Sequence, residues 1–199
     1  AAEGAARGRP RNHDVARGLA ALFATGKLGL GDFEAVIAAR AFDASAERFA
    51  DFTALENHLD ATGGAVMRMA IRLLDGDPAL ACPAALAYGL AGLVRSVPFH
   101  NARHKLYLPE DLLTALSITP EEFFAAREDD GRKLAVLRQT ALRARDHFLA
   151  ARRGPRPKAD LPAMLPATLV PVTLRKFLRP VSTHRKQMAL LAASIKKRL

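Results

Sequence analysis

Residues 79–97 read Ala79-Leu-Ala-Cys-Pro-Ala-Ala-Leu-Ala-Tyr-Gly-Leu-Ala-Gly-Leu-Val-Arg-Ser-Val97. No charged side chain occurs from Ala79 to Val94. Ala and Leu, the strongest helix formers, fill most positions. The uncharged run is shorter than the roughly 18 residues that a membrane span needs, and it is full of Ala and Gly. It therefore predicts a buried helix at the centre of an all-α fold. Pro83 lies near its start, and Pro98 is expected to stop it. A loop over Phe99–Lys105 then leads to Tyr107-Leu108-Pro109.

Working outward, the same periodicity predicts helix on both sides. Thr119-Pro120-Glu121-Glu122 is a capping box with Pro at the first helical position. A long helix fits Asp129 to Arg153, and Pro155 and Pro157 form a linker. Leu161–Leu178 is apolar but interrupted by Pro162, Pro166 and Pro171. A basic amphipathic helix runs from Thr183 to Leu199. Upstream, Thr53 and Glu56 form a T-x-x-E capping box that opens a helix to about Asp75. Leu55, Leu59, Val66, Met69 and Leu73 mark its apolar stripe. Gly63 and Gly64 lie inside it, as at a kink or a close backbone approach. Asp43–Asp51 reads as a short helix or turn, and Asp32–Arg40 and Asp14–Ala24 as helices. Residues 1–12 read as a flexible basic end, and 13–199 as one helical domain.

Composition agrees. Half of the 199 residues are hydrophobic, only 6% are aromatic, and there is no Trp. Small aliphatic side chains must fill the core. The single cysteine, Cys82, excludes an internal disulfide and reads as a small core residue rather than a nucleophile. The net charge of +10 suits an acidic partner, an anionic membrane or nucleic acid, or merely a solvated Arg-rich face. The basic residues are dispersed and no nucleic-acid module is present, which argues against nucleic acid.

Glu56 and Asp60 stand four apart, as do Asp43, Glu47 and Asp51, and His100 and His104. Each set has metal-ligand spacing, but carboxylates at that spacing more often form a solvated face. Pro98 predicts a turn for the two histidines. Arg95, Arg103, His104, Lys105 and Tyr107 form the candidate anion or partner surface. Its bland counterpart is a basic surface loop. In the last helix Arg185, Lys186, Lys196, Lys197 and Arg198 border Met188, Leu190, Leu191 and Ile195. That helix can lie on an anionic bilayer or pack onto the domain.

The run Tyr88-Gly-Leu-Ala-Gly-Leu-Val-Arg-Ser-Val-Pro-Phe-His100, with Arg103-His-Lys-Leu-Tyr-Leu-Pro109 after it, resembles the second signature of squalene and phytoene synthases. The family pattern is N-x-x-R-D-V-x-E-D, a basic turn and Y-L-P. The resemblance implies an isoprenoid-synthase-like helical bundle. It also implies that the family's first Asp-rich motif would precede Ala1. The chain is thus expected to lack the N-terminal helices of the fold, and to belong to a longer protein or to close its cavity with another copy or a partner.

The departures weigh against catalysis. Family enzymes hold magnesium on Asp-rich helices, because a departing diphosphate needs hard cations on carboxylate oxygens. At the matching positions stand Gly92, Ser96, Phe99 and His100, and only Arg95 and Val97 remain. No catalytic residue, metal site or cofactor is therefore assigned. The variant L-x-R-x-x-P-[FY]-H is similar to the non-catalytic branch that includes mitochondrial complex I assembly factor six and its α-proteobacterial relatives. That branch implies an assembly or scaffold protein for a respiratory complex, with a protein partner. Its expected place is cytoplasmic and peripheral to the inner membrane of a bacterium, or on the matrix side of a mitochondrion. The alternative is a prenyl-diphosphate transferase with a degenerate magnesium motif.

Overall fold

A computed structural model describes residues 2–9, 12–155, 157–175 and 183–196, and among them there are helices and turns but no strand. The helices are α1 (Ala2–Ala6), α2 (Asp14–Ala24), α3 (Leu30–Arg40), α4 (Phe52–Leu59), α5 (Ala65–Leu73) and α6 (Ala81–Asn101). They continue as α7 (Glu110–Ala115), α8 (Pro120–Ala125), α9 (Gly131–Arg153), α10 (Leu161–Met164), α11 (Val170–Arg175) and α12 (Thr183–Lys196). The all-α expectation holds. Residues 1–12, expected as a loop, instead contain α1, which packs on α2 and buries Ala5. Of the residues expected along the last helix, Lys197 and Arg198 lie outside the described residues, and of Arg185, Lys186, Ile195 and Lys196 only the backbone is described.

The central helix is α6. Ala81, Ala84, Ala87 and Leu90 are wholly buried, and its most extensive contact is with α9. The ends of the two helices fix their direction. Val97 shares a cluster with Val136 and Leu137, whereas Ala84 and Ala87 share one with Phe148 and Ala151. The helices are therefore antiparallel. Residues 78–101 are long and apolar enough to cross a membrane, longer than the uncharged run alone suggested. Their small side chains let α9 approach closely, and this makes α6 a core helix.

Pro98 does not stop α6, which continues to Asn101. The proline gives up only one bond, to the Val94 carbonyl, near the end of the helix. Burial of Val97 and the tilted packing of His100 against Tyr107, with ring centroids 4.8 Å apart, hold the last turn. The Tyr107-Leu108-Pro109 segment then serves the next helix. Pro109 is the N-cap of α7, and the amides of Glu110 and Asp111 donate to the Phe49 and Ala50 carbonyls at 2.9 and 3.0 Å. The Thr119–Glu122 capping box is formed as expected.

The upstream capping box is not. Asp51, rather than Thr53, caps α4, its carboxylate accepting from the Ala54 amide at 2.7 Å. Between α4 and α5 the chain makes a π turn over Asp60–Gly64, at the expected Gly pair. A π turn is in effect a one-residue insertion, and it shifts the buried face behind it. Met67 and Ile71 consequently face the core and Val66 is 52% exposed, although Met69 of the expected stripe is buried as well.

Candidate functional site

Among the described residues, one side of α6 is left exposed. Tyr88, Arg95 and Phe99 are exposed on it, with Gly92 and Ser96 between them. These positions follow i, i+4, i+7, i+8 and i+11, which is one helical stripe. Apart from its chain neighbours and the backbone of its own helix, no heavy atom of the described residues lies within 4 Å of where a Gly92 Cβ would sit. The Ser96 hydroxyl donates back to the Gly92 carbonyl at 2.7 Å. The Arg103 guanidinium lies 3.6 Å over the Phe99 ring, a close cation–π stack. No carboxylate occurs on α6 from Ala81 to Asn101.

The expected cationic surface divides in two. Arg95 lies on the open stripe, and Arg103, in the turn just beyond the end of α6, reaches back over Phe99. His104 is exposed in a left-handed turn at φ 49° and meets the edge of Phe124. Lys105 and Tyr107 turn inward. The Lys105 ammonium donates to the Phe42 and Ser45 carbonyls at 3.2 and 2.6 Å, so its charge holds a turn instead of facing solvent. The Tyr107 hydroxyl donates to Asp43 at 3.0 Å. Behind the stripe, Leu93, Val97, His100 and Leu106 line a cavity of about 10 Å³, no more than a water molecule needs.

Asp43 is the hub of this inner cluster. It takes Arg40 at 3.0 Å, the Tyr107 hydroxyl, and His58 at 3.4 Å. Burial raises its carboxyl pKa, but Arg40 and Tyr107 outweigh it and hold the group below the usual range. Burial pushes the His58 and His100 imidazoles down. Burial and Asp43 together push the Tyr107 phenol up to about 12, so it remains a donor.

The carboxylate sets with metal spacing are committed elsewhere. Glu56, free of the expected capping role, takes Arg143 through both carboxylate oxygens at 2.6 and 3.0 Å, and His147 at 2.8 Å. Asp60 takes Arg68 at 2.6 Å. Asp43, Glu47 and Asp51 share no helix face, since the single turn there ends at Ala44. His100 is in α6, contrary to the expected turn, and His104 lies beyond its end against a different ring. Among the described residues, no three His, Cys, Asp or Glu side chains are grouped as a metal site. Burial, reinforced by Asp60, pushes the Cys82 thiol up and disfavours its thiolate. His58, Arg143 and His147 had no sequence signal, because each partner lies on a distant element.

Comparison with known proteins agrees with the fold. Residues 1–190 match the squalene/phytoene synthase pattern. A phytoene synthase of Cereibacter sphaeroides is 32% identical over 145 residues, which is 71% of this chain and 41% of that protein. Mouse NADH dehydrogenase (ubiquinone) complex I assembly factor 6 is 27% identical over 132 residues, 64% of this chain and 38% of that one. The chain thus spans about two fifths of the length of these curated relatives. A dehydrosqualene synthase crystal structure superposes with a TM-score of 0.76 at 16% identity, covering 98% of this chain and 75% of the other.

Proposed function

We propose, for a chain that belongs to the squalene/phytoene synthase family, a non-enzymatic role as an assembly or scaffold factor for a membrane respiratory complex of the complex I type. The observation that carries this reading is α6 itself. It is the central buried helix and carries the stretch that resembles the family's second signature, yet it has no carboxylate from Ala81 to Asn101. Without carboxylate oxygens this helix has nothing with which to hold the hard cations that a departing diphosphate needs. What it offers instead is an aromatic and cationic face, which suits a protein partner. The proposed place is the cytoplasmic side of a bacterial inner membrane, peripherally attached, or the matrix side in a mitochondrion.

The test is deletion of the gene in its own organism. Native gels and NADH:quinone oxidoreductase assays are expected to show loss of the assembled complex, with prenyl products unchanged. Intact complex together with a lost prenyl product would reverse the reading. The likeness to phytoene synthase favours a second reading, a head-to-head prenyl transferase. Full-length protein with magnesium and farnesyl or geranylgeranyl diphosphate is expected to give no radiolabelled product above the no-enzyme control. Product above that control establishes the second reading instead.

A further inference from the structure

We draw no further inference here: the strongest candidate, the inner cluster of Asp43, His58 and Tyr107 where the turn after α3 meets α4 and the segment following α6, belongs to the site already described, and a pH-operated latch there would rest on the direction of its pKa shifts alone.

Discussion

Two glycines show how far a single missing Cβ reaches. At Gly76 an added Cβ would sit 1.6 Å from Asp160 Oδ1 and 2.9 Å from the Ile71 side chain. Asp160 is itself wholly buried, with Oδ1 unpaired among the described residues and Oδ2 accepting from the Asp77 amide at 3.4 Å. The carboxylate has no room to retreat. Gly76→Ala is therefore expected to cost about 1–3 kcal/mol or more, as overpacking does. At Gly92 a Cβ meets nothing. Gly92→Ala is expected to gain about 0.5–1 kcal/mol, the helix-propensity difference. Urea unfolding of the two variants measures both, and a Gly76→Ala protein as stable as the parent would refute the first. Sequence placed both residues but could not tell them apart. One abuts an element more than eighty residues away, and the other abuts solvent. The Thr53–Glu56 box failed for a related reason. Asp51 stood two residues earlier with an equally good capping oxygen, and Glu56 had stronger partners on α9.

At the scale of elements, helix positions were legible and helix registers were not. The sequence signals for Asp14–Ala24 match α2 to the residue, and those for Asp129–Arg153 match α9 within two residues, because apolar spacing and caps are local signals. The α4–α5 pair exposes the limit. A straight helix from Thr53 would bury Val66, but the π turn rotates the second half so that Met67 and Ile71 are inside. Nothing in a 3.6-residue period announces an inserted residue. The Gly63-Gly64 pair was the one hint, read as a kink. The turn makes a specific prediction. Deleting Gly63 converts it to an ordinary α turn while α4 and α5 keep their buried faces. Deleting Ala70 instead rotates Ile71 and all that follows by about 100°. The Gly63 deletion is expected to retain the helical circular dichroism and a cooperative melt. The Ala70 deletion is expected to lose the cooperative melt, since Ile71 is wholly buried in the main cluster. Equal damage from the two deletions would mean that the π turn is not an insertion in this sense.

For the whole molecule, the all-α class, the central α6 and the family followed from composition and one motif. The polar clusters that tie the elements together did not. Asp43 meets Tyr107 across 64 positions, and Glu56 meets Arg143 across 87, so only the folded chain makes them neighbours. These clusters set the pH response. Burial pushes His58 and His100 below their ordinary value, against the pull of Asp43 and with the repulsion of Arg40 and Lys105 near His58 and of Arg103 near His100. In the unfolded chain both imidazoles take a proton near pH 6.5. Below that pH the unfolded state binds more protons, so stability falls as pH falls, until the folded imidazoles are protonated too. Asp43 and Glu56 continue the trend. Burial raises both, but Arg40 and Tyr107 on one, and Arg143 and His147 on the other, hold them below the usual carboxylate range. Their contribution is present above the unfolded value, about 4, and is lost as pH falls through the lower folded one. The urea midpoint is thus expected to be level near neutrality, to decline below about pH 6.5, and to steepen below about 4. His58→Phe, which keeps an aromatic ring against Phe42 and Phe49, should reduce the first decline to the part that His100 contributes and leave the second. A midpoint that rises between pH 7 and 5 would show that the imidazoles are stabilised in their charged form, as they would be were Asp43 the stronger influence on them.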